Sequence, residues 1–447
     1  MLKKMGWCLL TGSLLTSGLM AQEKPRELPG AEPIRPPVPV VPSNELPPLF
    51  VDTQVSQGST YVDKWSFSAD YLWWWMKRAP SPAPYVTTTR VQGEGIPQEF
   101  AGSLGDPDTQ SLVDDRNLNF GTFSGLRLRA SAMGPLVGLD LGGFLLERRS
   151  GGDFIAADMP TTPNGTDGGF PFLARPFFDV NANRENAYFI SVPTFTSGST
   201  RVSEQVAIFG YDVNATVRLA CWDNVEIIGF IGHRFLGLNE NLDFNDRIVS
   251  LADQPAEVAI FYAGQPVFRN GVVSITDSFH TSNRFYGGQL GSQTRVTLSD
   301  LLSLSFRGSV ALGVNQQLAE VQGVTSLKPA PTDPDQTPRS TVGGIYAQPT
   351  NIGSYFRSVF SYASEGEVNL EYAITPNLTA RAGYSILYWT NVVRPGNLID
   401  RRVDRRGVPS DPSYVATPVP PVEVPVFAFK NSDIWVQGLT FGLELHY

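Results

Sequence analysis

The side chains in this chain that could do chemistry are mostly charges of both signs set two residues apart. Arg127, Arg129, Arg218, Arg295, Arg307 and Arg381 recur with Asp140, Asp212, Glu226, Glu365, Glu367, Glu371, Glu444 and the amide Gln289, each beside rows of Leu, Val, Phe or Tyr of opposite parity. In an extended chain that spacing puts charge on one face and hydrocarbon on the other. Gathered together, guanidinium forks and carboxylates can either lock into an ion-pair network or line a polar passage. Other chemistry is poorly supported. His233, His280 and His446 are too scattered for a metal set, and no H-E-x-x-H or C-x-x-C spacing occurs. By parity His233 shares the face of Val225 and Ile227, which suits a lipid interface better than a general base. Asp106, Asp108, Asp114 and Asp115 could hold Ca²⁺ with loop carbonyls, yet they match no full EF-hand loop. Gly287, Gly288 and Gly291 lack the strand-to-helix context of a nucleotide loop. A hydrolase would need a Ser or Asp beside a His at a shared strand end, and three histidines make that a remote reading. No catalytic residue, cofactor or metal is expected.

The elements that must position these charges are strands. From Trp435 to Tyr447 the residues Trp435, Leu439, Phe441, Leu443, Leu445 and Tyr447 share one face, while Gly438, Thr440, Gly442, Glu444 and His446 share the other. At roughly 3.3 Å per residue and a tilt of about 45°, the stretch rises on the order of 28 Å, close to the apolar band of an outer-membrane barrel. Nine similar stretches precede it, near 65–76, 122–132, 136–147, 207–220, 225–236, 284–298, 302–314, 358–374 and 379–390. The connections alternate between short ones at 133, 221, 299 and 375 and long ones after 76, 147, 236, 315 and 390. Short periplasmic turns, long outer loops and an even strand number define an antiparallel up-and-down transmembrane β-barrel. The fold expected is therefore all-β with about 10 strands. A hairpin within Ala259 to Thr276, around Asn270-Gly271, or part of the first long link could raise the number to 12. Trp65, Trp73, Trp75, Trp435 and Tyr447 are placed to form aromatic girdles, with Trp74 grouped in the same interfacial cluster. Phe170, Phe172, Phe177 and Phe178 suit packing within a loop.

Composition agrees with this. The 447 residues hold 42 Gly and 35 Pro, are 11% aromatic and only 17% charged, which suits strands and turns. Outside the N-terminus no run of about 18 apolar residues occurs to make a membrane helix. Residues 1–21, with Lys3 and Lys4 before an apolar stretch and Ala21 at its end, read as a signal peptide. Loss of those two lysines takes the formal charge from -9 to -11, so a nucleic-acid partner is not expected. Residues 22–62 are dense in proline and read as a periplasmic linker, leaving 63–447 as the barrel. Cys8 would depart with the leader, leaving Cys221 without a disulfide partner in the chain.

Several runs carry a resemblance: Y-L-W-W-W-M-K (Tyr71 to Lys77), G-F-I-G-H-R-F-L-G-L-N-E (Gly229 to Glu240), N-R-F-Y-G-G-Q-L-G (Asn283 to Gly291), G-Y-S-I-L-Y-W-T-N-V-V-R-P-G-N-L-I-D (Gly383 to Asp400) and W-V-Q-G-L-T-F-G-L-E. Together they resemble the outer-membrane family described as putative beta-barrel porin 7, from about Lys64 onward. The resemblance implies a bacterial outer-membrane location and a porin-like role, with no catalytic residues. The tail Thr440, Gly442, Leu445, Tyr447 also resembles the C-terminal signature read by the barrel-assembly machinery, which with outer-membrane lipid is an expected partner.

For the interior, two expectations compete. A narrow porin-like channel would pass small polar solutes through a constriction of Arg and carboxylate side chains. A plugged barrel, serving structure, surface display or adhesion, would have those groups paired shut, since ten strands leave little bore. A soluble lipocalin-like barrel would turn the faces inside out. It is the direction of Leu443 and Phe306 against that of Arg307 and Glu367 that separates it from a membrane barrel.

Overall fold

The computed structural model describes residues 64–447 except 90–99, 115–119, 157–171, 254–259 and 334. The expected signal peptide and linker, and Asp115 and Phe170, lie outside the described residues. Ten strands form one closed antiparallel ring: β1 Lys64–Met76, β2 Thr122–Met133, β3 Val137–Leu146, β4 Thr196–Cys221, β5 Val225–Ser250, β6 Val272–Thr297, β7 Leu302–Lys328, β8 Gly353–Thr375, β9 Leu378–Val392 and β10 Ser432–His446. Each pairs with its neighbours in sequence, and β10 closes on β1 in the register Ala69↔Leu443 and Tyr71↔Phe441. Trp65 and Tyr447 exchange backbone hydrogen bonds at the seam. Closure leaves no unpaired edge in the belt, the condition for crossing hydrocarbon with strands.

Outward faces are apolar near the end that carries the short turns. Leu443 is 50% exposed and Phe306 46%, whereas Arg127 is 2% exposed inside the ring. The inside-out arrangement is thereby excluded. Trp65, Trp73 and Tyr447 point outward, with Trp75 and Trp435 half-buried beside them. Trp74 departs from the expectation: it faces inward, fully buried, with Phe144 at 5.7 Å and Arg127 over its ring. Consecutive residues of a strand point oppositely, so three adjacent tryptophans cannot share one belt.

β4 to β7 are far longer than the stretches that the sequence marks out, running 26, 26, 26 and 27 residues. The reason lies in their phase. In the lower part of β4, Asp212, Asn214 and Thr216 face in while Tyr211, Val213 and Ala215 face out. Higher up the inward residues become Val202, Val206 and Ile208, and the outward ones Arg201, Ser203 and Gln205. β5 switches in the same way, from Arg234 inside and Phe235 outside to Phe244 inside and Asp243 outside. An exterior ring cluster of Tyr211, Phe235 and Tyr286 marks the level of the change, with His233 stacked beside it as its parity required. Below that level the outer surface is apolar, as in the belt of an outer-membrane barrel, and above it polar.

The apolar inner face of the upper wall is filled by the long connections. A small sheet drawn from three of them joins Val86–Thr89, Thr109–Val113, Leu173–Asp179, Arg184–Ser191 and Arg402–Val403. Its Val86, Leu173, Phe177 and Val403 pack in one cluster with Phe244, Ile275, Phe279 and Val321 of the wall. Phe172 and Phe177 are buried here. The suspected extra hairpin adds nothing to the ring: Phe261–Tyr262 pairs only with Gln265–Pro266, and Asn270-Gly271 turns directly into β6.

Candidate functional site: an occluded barrel interior

Near the turn end the bore is crossed by ion pairs. Arg127 on β2 donates to Glu367 at 2.7 Å and Glu365 at 2.5 Å, both on β8. Glu365 also accepts from Arg234 on β5 at 2.6 Å, and Arg234 reaches Asp212 on β4 at 2.9 Å. Three strands widely separated in the ring are thus tied through one carboxylate, and the ties run across the bore. Arg307 holds Asp140 at 2.6 Å, Arg381 holds Glu367 at 3.2 Å, and Arg295 holds Glu371 at 2.8 Å. Neutral amides complete the acceptors: Asn214 donates to Asp140 and Asp212, Gln289 to Asn214, and Asn369 to Glu367. On the inner face Gly442 leaves room for Asp70, because a Cβ there would lie 2.1 Å from an Asp70 carboxylate oxygen.

Above this layer the interior turns apolar, with Leu72, Trp74, Phe123, Phe144, Phe285 and Trp389 in one buried cluster. Above that, the connections are pinned to the wall by buried polar contacts. Asn283 of β6 both donates to the Val393 carbonyl and accepts from its amide. Arg394 is clamped by both oxygens of Glu240 on β5 and donates to the carbonyls of Lys77 and Arg78. Glu204 on β4 faces the same clamp, 1% exposed, with neither carboxylate oxygen hydrogen-bonded among the described residues. Burial, together with the neighbouring charge of Glu240, pushes its carboxyl up to about 8. Arg175, from Leu173–Asp179, sits between Asp246 of β5 and Asp277 of β6 at 2.7 and 2.8 Å, all without exposure. Burial raises both of these carboxyls against the pull of the single guanidinium they share.

The family model described as "Putative beta barrel porin-7 (BBP7)" matches residues 65–447. The chain belongs to this family. Among solved structures, the outer membrane protease OmpT of Escherichia coli is 9% identical, covering 88% of this chain and 99% of its own, with a TM-score of 0.39. A Pseudomonas aeruginosa FadL homologue is 8% identical, covering 86% of this chain and 90% of its own, with a TM-score of 0.25. No curated protein matches. The fold reading of this porin-7 barrel therefore rests on its own strand ring and belt.

In this porin-7 chain, Arg127, Asp140, Asp212, Gln289, Glu365, Glu367, Glu371 and Arg381 fall within the ion-pair layer. Arg129, Arg218, Glu226, Arg295, Arg307 and Glu444 line the cavity that opens below it at the turn end. The lumen-lining candidates omit Asp70, Asn214 and Asn369, which the sequence places on polar strand faces, and Arg234. Arg234 shares the parity of Glu226 and Asp70 that of Ser66 and Ser68, so alternation alone was enough to find them. Of the C-terminal tail, Thr440 is buried facing in while Leu445 and Tyr447 face out. His280 lies beside Asn241 on the outer face of the upper wall. His446 Nε2 is 3.3 Å from Thr379 Oγ1, and its Nδ1 is 4.0 Å from Glu444, the latter beyond a hydrogen bond. Among the described residues no group of three His, Cys, Asp or Glu side chains could hold a metal ion.

Proposed function

We propose that this protein is a non-conducting, non-enzymatic barrel of the bacterial outer membrane. Its long connections face outward and fold into the mouth as a plug; its short turns face the periplasm. The single observation that carries the reading is the filling of the bore in three successive layers: crossed ion pairs, the Trp74–Phe285 cluster, and the packed connections. Any solute passing through would have to part all three. The plug is pinned by Arg175 and Arg394, fully buried, so its outer surface is a rigid platform suited to display or adhesion at the cell surface. The tail ending in Leu445 and Tyr447 would serve the assembly machinery, and the exposed Leu and Phe rows would meet lipid. Planar-bilayer recording tests the reading. The purified chain should insert without stepwise current; discrete conductance steps would instead establish a narrow channel for small polar solutes.

A further inference from the structure

The cavity at the turn end, about 120 Å³, is more than a gap beneath the ion-pair layer. Five of its lining residues are arginines and three are carboxylates. Each of those carboxylates is already engaged: Asp140 by Arg307, Glu226 by Arg218, and Glu444 by Arg295. Arg129 is the exception among the arginines. Among the described residues, the only carboxylate within 4 Å of it is Glu367 at 3.7 Å, which Arg127 and Arg381 also claim at hydrogen-bonding distance. One carboxylate cannot satisfy three guanidinium forks. Arg129 forms no hydrogen bond among the described residues, and its Nε is buried without a partner. The Oγ of Ser68, 3% exposed, and the Nε of Arg381 are likewise buried and unpartnered, and both residues line the same cavity.

We infer that this cavity is a binding site for a small oxyanion of the phosphate or carboxylate type, held chiefly by Arg129 with Ser68 and Arg381. Arg129, which lines the opening and makes no hydrogen bond among the described residues, calls for an acceptor that carries several lone pairs and negative charge, which such an anion supplies. A space of about 120 Å³, several times the roughly 10–15 Å³ that one water requires, admits a cluster of waters or one phosphate-sized ion. Entry is from the turn end, so the site does not depend on whether the barrel conducts.

The test uses the full chain folded in detergent micelles, titrated calorimetrically with inorganic phosphate and, separately, with acetate, at constant chloride. Saturable single-site binding of either anion is expected, and the stronger of the two identifies the geometry preferred. Arg129→Gln should weaken it by about tenfold or more, the loss of a charge-assisted bond, and the milder Ser68→Ala by roughly fivefold. Both variants are checked for the compact, heat-modifiable gel band of a closed barrel; should Arg129→Gln fail to fold, Ser68→Ala alone decides. Absence of saturable binding by either anion, or affinities unchanged in the folded variants, overturns the assignment.

Discussion

Glu204 offers the sharpest test of how the plug is held. Its carboxyl faces a clamp in which Glu240 already takes Arg394 through both oxygens, and it receives no hydrogen bond of its own. Ionising it would put a second negative charge there for which no donor remains. With its carboxyl raised from 4.5 to about 8 in the closed state, the stabilisation it allows is fully present below pH 4.5. It is lost progressively as pH rises through about 8. At about 1.4 kcal/mol per pH unit over that gap, the loss totals on the order of 5 kcal/mol. Amide hydrogen exchange of residues 393–398, compared at each pH with Glu204→Gln, cancels the intrinsic pH dependence of exchange. Each unit between pH 5 and 8 should lower wild-type protection relative to the variant by about tenfold, so from pH 5.5 to 7.5 the ratio should fall about 100-fold. A ratio constant over that range would refute the reasoning, because Glu204 would then share its protonation state with the open form.

Three further outcomes follow from the same geometry. Arg175→Met strands Asp246 and Asp277 in the buried upper core and should cost about 3–5 kcal/mol, read as faster exchange at 173–179 and 345–347 while the belt strands stay protected. Phe306→Arg places a charge on the outward face of the belt and should lower folding stability in lipid vesicles by about 2–4 kcal/mol, whereas Gln322→Arg, outward on the same strand but above the belt, should leave the urea midpoint within about 0.5 kcal/mol of wild type. Arg127→Ser opens part of the ion-pair layer but leaves the Trp74–Phe285 cluster above it, so bilayers containing it should stay silent; stepwise current would show that the charges alone close the bore.

The ring of ten was legible in the sequence because alternation recurs in every belt stretch, with few breaks such as Gln437: from Leu302 to Val314 every second residue is apolar or glycine, and the polar ones between them face in. What escaped was everything above the belt. From Gln316 to Lys328 the period of two continues, but Ala319, Val321 and Leu327 now occupy the inward parity and Gln316, Glu320 and Gln322 the outward one. A search for apolar-outward alternation ends where the phase inverts, so half of each long strand was taken for loop. The inversion was itself readable as a change of solvent at that height. The small sheet of the plug was not readable, since Val86, Leu173 and Val403 meet only through closure of the wall around them.

That inversion explains why the connections cannot be ornamental. A wall of β4 to β7 standing above the apolar belt with Phe244, Ile275, Phe279 and Val321 facing an empty bore would expose a large apolar lining to water. The strands could be shorter, as β1 to β3 are, and the barrel would still close within the belt. Their extra length is stable only because Val86, Leu173, Phe177, Ile345 and Leu398 arrive from the long connections to cover it. Wall and plug therefore form one hydrophobic core, with Arg175 and Arg394 fixing the order in which its pieces meet. A passage for solutes through that half would require separating a packed protein interior, which is a far costlier act than swinging a loop aside in a water-filled pore.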